Sequence, residues 1–281
     1  MLPRSEDYAA QVHVLDELVL AAMTVSTRTG GVWRPHHYVM ATQLYTRLVI
    51  TSTTLLHILP GSRRAGSAQL WDWPSVAALT RCILELYLSF FYLGGEDLPD
   101  DELEFRSTLF RHHSNEEKNA LYRRFGSPSL DLSEFDRKLP AARAALTAHP
   151  VMQRFTPEQR RRVESWESSK HLSRSDLVAR LPFNGGEINL FYRLLSSQVH
   201  ASPFSTLSQS DERGRGEENE TERMYVTWAV WLVRKYLAAA VTRMAVIFDD
   251  HYSGLADAEL ASALRIGATQ LARILECEAA N

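Results

Sequence analysis

The chain has 281 residues, 45% of them apolar and 23% charged, which is enough apolar material for a substantial core and argues against disorder. A formal net charge of −3 gives no global field that would favour nucleic acid or an anionic membrane. Two isolated cysteines, Cys82 and Cys277, supply neither a disulfide framework nor a zinc site, so both are read as reduced thiols.

Helix signals dominate in chain order. Val12, Leu15, Leu18, Val19 and Met23 give a helix over about 5–27, broken at Gly30-Gly31. A second helix is expected over about 36–59, although its β-branched run from Val49 to Thr54 weakens the signal. The third, about 73–93, starts at Asp72 as N-cap with Pro74 in the first turn and stops at Gly94-Gly95. Cys82 on this helix reads as a buried hydrophobe. A fourth helix is expected over about 99–125, with a potential break at His113 where Ser114 and Glu117 form a capping-box pattern. Ser133 opens a fifth, with Pro140 as a potential reset. Thr156-Pro157-Glu158-Gln159 combines a cap, a first-turn proline and a box; Ser173 to Asp176 is a weaker version. Asn184 caps a helix running to about 201. A mobile polar loop is expected over about 208–222, then helices over about 222–249 and 256–278.

No alternating strand pattern and no internal repeat occur. The expectation is therefore an all-α fold, a multi-helix bundle of about eight to ten helices without significant sheet. It would form one helical domain over 1–281, built around the helices at 73–93, 184–201 and 222–249. The best candidate for a bilayer span, Met224 to Phe248, is interrupted by Arg234, Lys235 and Arg243 and reads as a core helix. With no signal-peptide pattern at Met1, the expectation is a cytoplasmic protein with no membrane partner.

Two polar constellations stand out. Between Val76 and Leu93 the only polar side chains are Thr80, Arg81, Glu85 and Ser89, and the last three share one narrow strip of an otherwise apolar helix. As a surface pair Arg81/Glu85 would contribute only about 0.2–0.5 kcal/mol. As an interior pair it would require further partners and would suggest a site. The second constellation is the helix carrying Tyr192, Ser196 and His200 at four-residue spacing, with Arg193 on the flank of Ser196 and His200. Its bland interpretation is a solvated flank with His200 favoured by the helix dipole at the C-terminus. The sharper one is a two-helix polar centre shared with Arg81 and Glu85. Histidine-acidic clusters at His112-His113, Glu167/His171 and Asp249-Asp250-His251 lack metal-site spacing, and no metal or other cofactor is expected. Asp249 and Asp250 fall at the end of a long helix, where the dipole disfavours them. Arg154 and Arg160-Arg161-Arg162 form a short basic patch that most simply is a solvated face.

The order Arg81-x3-Glu85, then Trp166 with Lys170, then Tyr192-x3-Ser196-x3-His200 resembles an uncharacterised family of bacterial all-helical proteins, a domain of unknown function associated with phage defence. The likeness covers about 70–205 and implies family more than activity. Arg193-x6-His200 is also similar to the Arg…His pattern of HEPN ribonucleases and toxins, at the outer limit of the spacing and with Leu194 where a polar residue is usual. That likeness implies a homodimer acting on RNA by metal-free cleavage. His200 would be general acid or base. Arg193 or Arg81 would stabilise phosphorane charge, Glu85 would complete the catalytic group, and Tyr192, Ser196 and Lys170 would contact substrate. The alternative is a non-enzymatic helical interaction or small-ligand-binding module in which Arg81, Glu85, Tyr192 and His200 form a structural network.

Overall fold

A computed structural model describes residues 2–66, 69–126, 132–200, 202–208, 213–254 and 257–279. Among them are twelve α-helices and no strand, so the fold is all-α. A 3-10 turn at Ser5–Asp7 leads into α1 (Tyr8–Thr29), followed by α2 (His36–Ile58) and α3 (Trp73–Phe90). The end of α3 widens into a π turn, Phe91–Gly95. Then come α4 (Asp100–Phe125), α5 (Ser133–Ala148), a 3-10 turn at Pro150–Arg154, α6 (Pro157–Glu164) and α7 (Arg174–Arg180). The chain continues through α8 (Gly185–Val199), α9 (Pro203–Leu207), α10 (Glu220–Ile247), α11 (Asp249–Tyr252) and α12 (Ala258–Ala279).

The caps follow the sequence closely. Asp72 accepts the Ser75 N–H at 3.1 Å, Thr156 and Gln159 form a reciprocal capping box, and Asn184 accepts from Gly186 and Glu187. The β-branched stretch of α2 remains helical because Leu48, Val49, Leu55 and Leu56 are buried along one face, while Thr51, Ser52, Thr53 and Thr54 each satisfy their hydroxyl on the carbonyl four residues earlier. α4 passes through His113 without a break, and α5 continues through Pro140. Two short helices, α9 and α11, were not expected. α11 corrects the placement of Asp249 and Asp250. They lie beyond α10, which ends at Ile247, and form the first turn of the short α11 after Phe248. Cys82 is exposed, not buried, because it shares the open side of α3 with Ser75 and Ala78. Part of the expected polar loop, 209–212, lies outside the described residues. Of the remainder, Arg213 pairs with Glu222, the Gly216 carbonyl accepts the Trp71 N–H, and Asn219 caps α10.

The helices belong to two compact units. The first comprises 1–33, 42–91 and 181–281. Its axis is α10, buried along most of its length and packed against α1, α3 and α12. α3 in turn packs against α8, and α1 against α12. Tyr87 of α3 stacks on Tyr236 of α10 with ring centroids 5.0 Å apart. By length and composition alone, Ser5–Thr29 and Trp73–Gly95 are apolar enough to cross a bilayer; most of the second is buried within the protein. The second unit comprises 34–41 and 92–180. There α4 packs on α5 around Phe105, Leu109, Leu146, Val151, Phe155 and Val163.

Candidate functional site

The polar strips of α3 and α8 meet. Four-residue spacing puts Arg81 above Glu85 on one helix and Tyr192 above Ser196 on the other, so packing the two helices brings the four side chains together. Arg81 Nη1 lies 2.8 Å from Glu85 Oε1, and its Nε donates to Ser196 Oγ at 3.1 Å. The guanidinium carbon stands 3.8 Å from the centroid of the Tyr192 ring. The Arg81 side chain is 17% exposed and that of Glu85 43% exposed, so the pair sits at the edge of the interface, between the surface and interior alternatives. Solvent reaching Glu85 screens the ion pair, leaving it worth at most about 1 kcal/mol. The stacked, partly desolvated Tyr192 face adds about 0.5–2 kcal/mol.

The other expected site residues lie elsewhere. His200 is the exposed C-cap of α8, one turn beyond Ser196, and its backbone N–H donates to the Ser196 carbonyl. Among the described residues its side chain makes no hydrogen bond to Arg81 or Glu85. Arg193 is exposed, because one residue of helical rotation carries it away from the Tyr192 side that faces α3. Lys170 belongs to the second unit, where its backbone brackets the Ser168 hydroxyl.

A buried centre in the second unit was not read from the sequence. Arg106 of α4 is fully buried. It donates to Glu102 at 2.7 Å, to Glu96 at 2.8 Å and to the Tyr92 carbonyl at 3.0 Å. Arg180 holds the other oxygen of Glu96 at 2.9 Å. Tyr92, on the π turn, places its hydroxyl 3.0 Å from Nδ1 of the buried His171. The His171 ring stacks on Phe155 with centroids 4.1 Å apart. Burial, with Arg106 and Arg180 nearby, pulls the His171 pKa down to about 3, so the ring is neutral at physiological pH. Two anions and two arginines with every contact internal make a structural network. Only the Glu102/Arg106 spacing announced it. Nearby, Trp166 has φ of 59°, uncommon for a bulky residue, with Arg143 over its ring and His112 against its edge. Of the basic patch, Arg160 donates to the Phe155 carbonyl, Arg162 to Ser168, and Arg154 to Asp101.

Two adjacent cations lie within α10 in the first unit. Lys235 is fully buried and pairs with Glu187 and Glu278, with its ammonium 3.8 Å from the Trp231 ring centroid. Burial raises the Glu187 carboxyl pKa, opposed by Lys235. Arg234 is hydrogen-bonded to the side-chain oxygens of Gln11 and Gln270. Among the described residues, no group of three or more His, Cys, Asp or Glu is placed to hold a metal ion.

Comparison of this chain with family models, with curated proteins and with solved structures finds no match.

Proposed function

We propose that this protein is a non-enzymatic helical binding module in which the Arg81 centre locks α8 against α3 and holds the outer face of α8 for a partner. The observation that carries this reading is that the Arg81 guanidinium is held on three sides by its own chain, by Glu85, Ser196 and the Tyr192 ring. A guanidinium so engaged is a clamp, with little left to offer a phosphorane. The face held in place carries Leu190, Arg193 and His200, all exposed. Neither cysteine is disulfide-bonded, which suits a reducing compartment.

One observation favours a second reading, metal-free action on RNA: Arg193, midway along α8, and His200, at its C-terminal end, are both solvent-exposed, where a phosphodiester could reach them. A single pair of variants separates the two. Under the module reading, the wild type leaves a panel of RNAs uncut. Arg81→Ala then lowers stability by about 1–3 kcal/mol, and His200→Ala changes it by less than about 0.5 kcal/mol. RNA cleavage by the wild type that disappears in His200→Ala, with its melting temperature unchanged, would establish the RNA reading and remove the module reading.

A further inference from the structure

The neighbours Lys235 and Arg234 are treated unequally. Lys235 faces two carboxylates, whereas no carboxylate among the described residues pairs with Arg234. Arg234 is only 9% exposed. Of its five N–H donors, one on Nη1 goes to Gln11 and one on Nη2 to Gln270 at 2.8 Å, both neutral amides, and Nε is buried with no hydrogen-bond partner. Burial makes its charge harder to hold and Arg273 of α12 adds to that, opposed by Cys277. A desolvated guanidinium beside a second arginine and without a counterion is an unfavourable arrangement for a core to maintain alone.

Arg234 lines a cleft of about 480 Å³ between the N-terminal 3-10 turn, α10 and α12, where Arg4 and Arg273 also contribute. Its lining also includes Cys277 and the apolar Leu2, Pro3, Trp231 and Ile274. Two carboxylates, Glu6 and Asp7, line it as well. Asp7 accepts the Arg4 backbone N–H at 3.0 Å, and neither shifts Arg234. A lining that combines arginines with apolar side chains selects an amphiphile: the head satisfies the guanidinium, and the body covers the apolar lining.

We propose that this cleft binds a small organic acid, whose carboxylate is gripped by Arg234 and Arg273 and whose apolar body lies against the apolar lining. The site is separate from the α3–α8 centre and does not depend on how that centre is read. Titration calorimetry of the full chain with hexanoate, hexanol and inorganic phosphate tests it. Hexanoate should bind, and hexanol should bind at least about tenfold more weakly, the loss expected for one charge-assisted contact. Phosphate should also be the weaker ligand. Arg273→Ala, on an exposed face and therefore tolerated by the fold, should weaken hexanoate at least about tenfold. Arg234→Met should abolish the rise in melting temperature that hexanoate induces. The proposal is overturned if hexanoate does not bind, if hexanol or phosphate matches it, or if Arg273→Ala binds hexanoate as the wild type does.

Discussion

His171 shows how far one residue can set the response of this protein to acid. Its unfolded pKa is near 6.5 and its folded pKa about 3. Between those values the unfolded chain binds a proton that the folded chain refuses. Stability is therefore retained above pH 6.5 and lost progressively as pH falls, with a slope of about 1.4 kcal/mol per pH unit. His171→Phe keeps the stack on Phe155 and removes the titration. Subtracting its stability from that of the wild type should give a difference that shrinks by about 2 kcal/mol between pH 7 and pH 5 in urea denaturation. A pH-independent difference would mean that the folded state takes up the His171 proton as readily as the unfolded chain does. None of this was readable in advance, because a histidine four residues after Glu167 reads as surface until Tyr92, Phe155 and Arg106 close around it from distant positions. Arg81, Tyr192 and Ser196 were readable, since each pair is set by helical spacing. His200 obeys the same spacing, but α8 ends there, so the stripe runs off the interface into solvent.

At the scale of elements, capping chemistry made most boundaries legible, as Asp72, Thr156 and Asn184 show. Packing distances were not. Gly267 of α12 lies so close to α10 that an added Cβ would come 2.4 Å from Val241 Cγ1. The absent side chain is what permits that approach, and no periodicity in the sequence announces it. Gly267→Ala gains helix propensity, about 1 kcal/mol in an exposed site. The clash outweighs that gain, so thermal unfolding should show a net loss of about 1–3 kcal/mol. A neutral or stabilised variant would show that α12 can move off α10 freely. The hydroxyl-rich stretch of α2 makes a similar point from the other direction. Propensity alone argues weakly for a helix there, and burial of Leu48, Val49, Leu55 and Leu56 along one face supplies what propensity lacks.

For the whole molecule, the all-α class followed from periodicity and the absence of alternation. The partition into two units did not, although the chain becomes markedly richer in charged residues after 91, where it leaves one unit, and poorer again after 181, where it re-enters it. Each unit has its own core and its own way of handling buried charge. The second holds the acid-sensitive His171 and the Arg106 network; the first holds α10 with its lysine and arginine. Mild acid should therefore act unevenly. Hydrogen exchange at pH 5, corrected for intrinsic rates, should show amides of α4 losing more protection relative to pH 7 than those in the middle of α10. Equal losses in both would indicate that the two cores open as one.

The π turn at Phe91–Gly95 has a consequence for how this chain tolerates length changes. A π turn is an α-helix carrying one surplus residue, so a single deletion there could be absorbed as a return to ordinary helix geometry, with α3 upstream undisturbed. If the turn kept its wide geometry instead, the cost would fall downstream: Glu96 would be drawn back by one position and rotated by about 100°, away from both Arg106 and Arg180, leaving a fully buried guanidinium with only one of its two carboxylates. The π turn thus works as a slack coil, taking up a change of one residue before it reaches the buried charges that follow.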